Sequence, residues 1–128
     1  MTRVLLVEDE ILLSMVMEDS LRHLGYEVVT ASSLTAGLEQ ARTLAIDVAL
    51  LDVNLAGNLS YPIAAMLIGR NIPFVFASGY EELALPETMQ SVPVLAKPFR
   101  NHQLDQALRL VMTSAHGSSC GADGETGG

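Results

Sequence analysis

Four short apolar runs in this chain each stop at a residue able to handle phosphate or a divalent cation. Val4-Leu5-Leu6-Val7 stops at Glu8 and Asp9, and Asp47-Val48-Ala49-Leu50-Leu51 stops at Asp52. Phe74-Val75-Phe76-Ala77 stops at Ser78, and Val94-Leu95-Ala96 stops at Lys97, followed by Pro98. If the runs are parallel strands, their carboxyl ends share one edge, where ligands of open α/β sheets bind. Three carboxylates, a hydroxyl and an ammonium then converge. Crowded carboxylates call for a cation, and a small all-oxygen set suits Mg²⁺. A carboxylate at the end of an apolar strand can act as a nucleophile toward phosphorus, forming an acyl phosphate. That displacement needs positioning and charge neutralisation, which Mg²⁺ and Lys97 supply, with Ser78 donating to a phosphoryl oxygen. Taken singly, each residue has a plainer role. Glu8 and Asp9 suit a helix N-terminus, Asp52 and Ser78 suit turns, and Lys97 suits a solvated loop. The plain roles leave the coincidence of four strand ends unexplained.

The elements that must position these residues follow from periodicity. Arg3 to Val7 reads as a buried strand, and Glu10 to Leu24 as an amphipathic helix with Leu13, Met17, Leu21 and Leu24 inward and Gly25 past its end. Glu27 to Thr30 is a short strand. Ser33 caps a helix reaching about Leu44, with Leu34, Leu38, Ala41 and Leu44 on one stripe. Asp47 to Asp52 is a buried strand and 54–58 a loop. Ser60 and Pro62 mark the start of a helix ending near Gly69. Pro73 to Ala77 is the fourth strand, and Pro86 limits the stretch from Tyr80 to Ser91 to a short or broken helix. Val92 to Ala96 is the fifth strand, and Asn101 to Met112 the last helix, with Leu104, Leu108 and Val111 inward. The alternation predicts an α/β fold: a five-stranded, doubly wound parallel sheet covered on both faces. Residues 1–113 form the domain, and 114–128 read as a disordered Gly/Ser-rich tail.

Bulk properties narrow the class. With 128 residues, 49% of them hydrophobic, the chain suits one domain with a real core. A net charge of −8 disfavours DNA and anionic membranes. No apolar stretch approaches the ~20 residues of a membrane span. The single cysteine, Cys120, cannot form an internal disulfide, which fits the cytoplasm. His23 and His102 lack partners at metal-ligand spacing and read as surface residues. Met15, Met17, Met66, Met89 and Met112 read as core filling.

With the strand ends in order, the chain resembles the receiver domain of two-component response regulators, a flavodoxin-like fold. The resemblance spans Arg3 to about Met112. It rests on Val4-Leu5-Leu6-Val7-Glu8-Asp9-Glu10, Leu50-Leu51-Asp52-Val53-Asn54-Leu55, Ala77-Ser78-Gly79 and Ala96-Lys97-Pro98-Phe99. It implies that Asp52 accepts a phosphoryl group from a histidine kinase or phosphotransferase. It implies Mg²⁺ held by Asp9, Asp52 and the main-chain carbonyl of Asn54, with Glu8 helping directly or through water. Ser78 and Lys97 become the switch residues. The segment from Pro73 through Phe76-Ala77-Ser78-Gly79-Tyr80 resembles the "FAT GUY" subgroup of single-domain regulators, associated with the general stress response of alphaproteobacteria. Asp52 to Gly57 and the Ser60-x-Pro62 helix start fit that subgroup.

Departures from the family pattern also matter. Val94 stands three places before Lys97, where many receivers carry an aromatic switch, so that switch is ruled out and Tyr80 is the nearest aromatic to substitute. Glu8 stands where Asp is commoner. The Lys97-Pro98 bond can be cis at modest cost. The expected protein is not an enzyme but a stand-alone, Mg-dependent phosphoacceptor. It would be a monomer or weak dimer acting through an unidentified downstream protein, or a phosphate sink. A phosphatase of the haloacid dehalogenase type would need a second acid at Asn54 and a cap domain. A flavodoxin-like cofactor binder would need a Ser-, Thr- or Gly-rich loop in place of Glu8-Asp9-Glu10. A phosphate-independent interaction module is the remaining rival.

Overall fold

The computed structural model describes residues 1–79 and 85–120, the last six of these by backbone alone. A parallel sheet contains strands β1 (Arg3–Val7), β2 (Glu27–Ala31), β3 (Val48–Asp52), β6 (Phe74–Ser78) and β7 (Val94–Ala96). Its order is β2-β1-β3-β6-β7, and every pairing is parallel. The helices are α1 (Ile11–His23), α2 (Leu34–Thr43), α3 (Tyr61–Gly69) and α4 (Asn101–Cys120). Between β6 and β7 the described residues hold a single 3₁₀ turn, Glu87–Met89, which accords with the interruption expected from Pro86.

The strands alternate strictly. Leu5, Val7, Ala49, Leu51, Phe74 and Phe76 pack on one face with residues of α2 and α3, among them Ala41, Ile63 and Leu67. Val4, Leu6, Val48, Leu50, Val75 and Ala77 face the opposite layer with Met17, Leu21, Leu104 and Leu108. Both faces of the sheet are therefore dry, which is why its central strands read as unbroken apolar runs. The α2 layer sits very close. A Cβ on Gly37 would stand 2.5 Å from Ile63 Cδ1, so only glycine fits there without a shift.

Several local expectations are corrected. Residues 54–58 are not an irregular loop but part of an antiparallel hairpin, β4 (Asn54–Leu55) with β5 (Asn58–Leu59). Ala56 (φ 52°) and Gly57 (φ 93°) form its two-residue turn, the left-handed pair a tight hairpin demands. Ser60 precedes α3, but its side chain makes no capping bond, and its fully buried hydroxyl has no partner among the described residues. Ser33 does cap α2, accepting from Ala36 N at 3.1 Å. The last helix runs past Met112 to Cys120. Met17 and Met89 fill the core as expected, whereas Met15 is 60% exposed, in an outward apolar group with Ile11, Leu12 and Val16. His23 and His102 are on the surface. No helix among the described residues is long and apolar enough to cross a membrane.

Candidate functional site

Strand order reverses direction between β1 and β3: β2 lies on one side of β1, while the chain continues on the other side through β3 to β7. In such sheets the crevice beyond the carboxyl ends at the reversal is where ligands bind. The register places the ends together. Val7 pairs with Leu51, Asp52 with Ala77, and Ser78 with Ala96. Glu8-Asp9, Asp52, Ser78 and Lys97 are thus each the terminal residue of a strand or the residues directly after one.

The acidic half is tightly built. Carboxylate oxygens of Glu8, Asp9 and Asp52 lie within 4.8 Å of one another. Glu8 is buried at 1% exposure and Asp52 at 7%. Lys97 Nζ donates to Glu8 Oε1 at 3.0 Å and to Asp52 Oδ2 at 3.1 Å. The second oxygen of each acid is held by the backbone. Glu10 N donates to Glu8 Oε2 (3.2 Å), and Asn54 N donates to Asp52 Oδ1 (3.3 Å). Burial pushes the Glu8 carboxyl above its usual range; the Lys97 hydrogen bond opposes this and the charge of Asp52 adds to it. Burial alone would weaken the Lys97 ammonium. The hydrogen bond from Lys97 to Glu8 and the charges of both acids outweigh burial, so its pKa rises and Lys97 stays charged.

The hairpin after β3 frames the mouth. Ser60 N donates to Val53 O at 2.9 Å and Leu55 pairs with Asn58 next to the turn. Asn54 opposite Leu59 is then the non-hydrogen-bonded pair of the ladder, so the Asn54 carbonyl is turned away from β5 and left available. Asn54 Oδ1 accepts from Gly57 N at 2.7 Å, which fixes the turn. The donor chemistry is hard oxygen throughout, with close carboxylates and a spare carbonyl. That fits a small divalent cation.

Lys97 and Ser78 are linked through the main chain, Lys97 N donating to Ser78 O at 2.8 Å. Ser78 is half-buried at the end of β6. The Lys97-Pro98 peptide bond is cis. Val94 is 48% exposed on the edge strand. Tyr80 lies outside the described residues. The direct Glu8–Lys97 bond was missed in the sequence reading. The two residues are 89 positions apart, and nothing in their local patterns links them.

Comparison with known proteins agrees with this geometry. The sequence matches the response regulator receiver domain over residues 4–109. SdrG from Sphingomonas melonis Fr1 is 38% identical and superposes with a TM-score of 0.77, covering 88% of this chain and 97% of that one. The receiver domain of sensor histidine kinase PA1611 from Pseudomonas aeruginosa PAO1, solved with a magnesium ion in its active-site cleft, is 25% identical. Its TM-score is 0.73 over 88% of this chain and 98% of that one. A CheY-like receiver protein from Methanospirillum hungatei JF-1, 19% identical, shares the fold at a TM-score of 0.80 over 91% and 97% of the two chains. No curated protein matches. The family match over most of the chain, with the acidic cluster at the sheet reversal, makes this chain a member of the response regulator receiver domain family.

Proposed function

We propose that Asp52 is the phosphoacceptor of a single-domain response regulator, loaded in a Mg²⁺-dependent reaction by a histidine kinase or phosphotransferase. The observation that carries this is the pairing of Asp52 Oδ2 with Lys97 Nζ at 3.1 Å inside a cluster of three carboxylates. A carboxylate so placed has one oxygen aimed at a cation and lies beside the room where a divalent ion can bind.

In the step proposed, an Asp52 carboxylate oxygen forms a bond to phosphorus while the phosphorus–nitrogen bond of the donor phosphohistidine breaks. The electron pair of that bond returns to the imidazole nitrogen, and the phosphoryl group leaves as an acyl phosphate on Asp52. Asp9, Asp52 and the Asn54 carbonyl would hold the metal, with Glu8 beside them, and the metal would supply charge neutralisation for the phosphoryl oxygens. Lys97, already bonded to Asp52, would provide a second positive charge, and Ser78 would donate to a phosphoryl oxygen. The acyl phosphate carries about −2 charge at pH 7 where the carboxylate carried −1, a net gain of about one negative charge, and brings new acceptor oxygens. Ser78 and Lys97 follow them and change the surface of the β6–β7 side, which a downstream protein reads. The exposed apolar group of α1 beside the Glu8–Asp9 loop suits cover by the phosphodonor.

We further place the chain in the "FAT GUY" subgroup and its stress-response setting, in the cytoplasm. Support comes from the segment Phe76-Ala77-Ser78-Gly79-Tyr80. The test of the main reading is incubation with Mg²⁺ and acetyl phosphate, followed by intact mass, beside Asp52→Asn. A single alkali-labile phosphoryl group on the wild type alone supports it. No adduct under any metal condition, with stable folding, would bring forward the phosphate-independent interaction module.

A further inference from the structure

We infer that the free edge of β2 is a self-complementary strand-pairing surface, fitted to β2 of a second copy of this chain and closed by the side chains of Arg22 and Gln40. β2 borders the sheet and pairs only with β1. Glu27 N donates to Thr2 O, and Ala31 O accepts from Glu8 N, so Glu27, Val29 and Ala31 turn their peptide groups to β1. By alternation Val28 and Thr30 turn theirs outward. Each of those two outward carbonyls has a side chain on it. Arg22 Nη2, from α1, donates to Val28 O at 3.4 Å, and Gln40 Nε2, from α2, donates to Thr30 O at 3.3 Å. One guard thus comes from each face of the sheet. Both bonds are long, and Gln40 Oε1 is buried with no partner among the described residues, so the closure is weakly held.

The edge is fitted to itself. In an antiparallel pair, every second pair of opposed residues exchanges both N–H···O bonds. A two-fold axis at Val29 sets Val28 against Thr30 of the second copy, and Thr30 against Val28 of the second copy. All the outward peptide groups of the edge are then paired, and the two sheets become one. Val29 faces its own equivalent, a β-branched pair, and Glu27 faces Ala31, so no like charges oppose each other. Such an interface is isologous and closes at two copies. The other border of the sheet lacks this capacity. β7 has three residues and lies between Pro93 and Pro98, neither of which carries an N–H. β2 has five residues and no proline. An edge of that kind, left open, is a template for association, and here Arg22 and Gln40 hold it shut.

Sedimentation equilibrium on the full chain tests this with three proteins: wild type, the double variant Arg22→Ala with Gln40→Ala, and that pair combined with Thr30→Pro. Circular dichroism should be native in all three, since the substitutions lie on helix surfaces and an exposed strand position. The wild type should be monomeric, and the double variant should form a dimer at least about tenfold more tightly. Thr30→Pro deletes an outward N–H at an edge position, where proline is tolerated, and should return the double variant to monomer. Amide hydrogen exchange locates the contact. In the double variant, Val28 and Thr30 should slow by about tenfold or more as concentration rises, while Val29, which faces β1, should not change. A natively folded double variant that associates no more tightly than the wild type overturns the proposal. So does a dimer that survives Thr30→Pro, or exchange at Val28 and Thr30 that ignores concentration. Neither measurement uses a metal or a phosphodonor, so the outcome is independent of the role proposed for Asp52.

Discussion

Replacing Lys97 by methionine should destabilise the metal-free protein and tighten its hold on Mg²⁺ at once. The two effects have one cause. The Lys97 side chain is 15% exposed and serves the side chains of Glu8 (1%) and Asp52 (9%) together. Removing one partner of a buried pair costs about 3–5 kcal/mol when the remaining charge has no escape. Here an escape exists, because burial already pushes the Glu8 carboxyl up, so it can take a proton at lower cost. The expected loss is about 2–3 kcal/mol, or roughly 8–15 °C in Tm for a domain of this size. The gain in metal affinity follows from Coulomb's law. Taking the 4.8 Å spread of the carboxylate oxygens as the separation, a +1 and a +2 charge repel by about 1.5–2 kcal/mol even at the dielectric of water. Mobile ions screen part of that, leaving about tenfold tighter binding.

Thermal unfolding with and without Mg²⁺ reads both effects. Lys97→Met should melt well below wild type in chelator. At saturating Mg²⁺ the gap should narrow, because tighter binding adds about 1.4 kcal/mol per tenfold in affinity. Equal Mg²⁺ shifts in the two proteins would refute the idea that Lys97 and the metal share the same carboxylates. No loss of stability in chelator would refute the buried pairing itself.

Other consequences can be checked on the same material. Gly37→Ala gains about 1 kcal/mol of helix propensity but loses about 1–3 kcal/mol to overpacking against Ile63 Cδ1 and Val7 Cγ1, so chemical denaturation should show a net loss. Adding Ile63→Val removes the colliding methyl, and the double mutant should be more stable than the sum of the singles; strict additivity would count against the clash. Ser33→Ala should cost about 1 kcal/mol through the lost α2 cap, whereas Ser60→Ala, with no cap bond to lose, should be close to neutral by the same measurement. Tyr26 OH donates to Asp105 Oδ1 at 2.9 Å, and burial followed by that carboxylate pushes its pKa to about 12. Its stabilising contribution is complete below pH 10 and lost as pH rises toward 12, so the stability gap between wild type and Tyr26→Phe should close across that window; a gap constant from pH 9 to 12 would contradict the bond.

Legibility differed by element for physical reasons. The central strands were plain in the sequence because both faces of the sheet are dry, so Val4 to Val7 and Val48 to Leu51 carry no polar interruption. The site was legible because parallel topology turns distant strand ends into neighbours, so Glu8, Asp9, Asp52 and Lys97 needed no contact information to be grouped. The hairpin at Asn54–Leu59 was missed because two-residue strands leave no periodicity, and Ala56 rather than Asn or Asp takes the first left-handed turn position. Met15 was misplaced because α1 is apolar on more than one side. Leu13, Met17 and Leu21 fit the inward stripe, and nothing local says that Ile11, Leu12, Met15 and Val16 stay out. The Glu8–Lys97 bond was invisible because it depends on side-chain reach across the sheet, a quantity that spacing does not encode.

The sheet also makes the site mechanically uneven. Strands β1 and β3 are each hydrogen-bonded on both sides, so Glu8, Asp9 and Asp52 leave the sheet from fixed interior positions. Strand β7 is a three-residue edge paired on one side only, with Val94 and Ala96 exposed. Lys97 therefore stands on the least restrained of the strands that build the site. Its backbone N bonds the carbonyl of Ser78, so a displacement of one is felt by the other. On the proposed function, a new charge at Asp52 would meet an acidic half held by interior strands and a basic half on the edge strand. The adjustment would then fall on Ser78, Lys97 and the edge of the sheet, whereas the proposed phosphodonor would sit on α1. On that reading, loading at α1 and readout at β7 would use different elements of the fold.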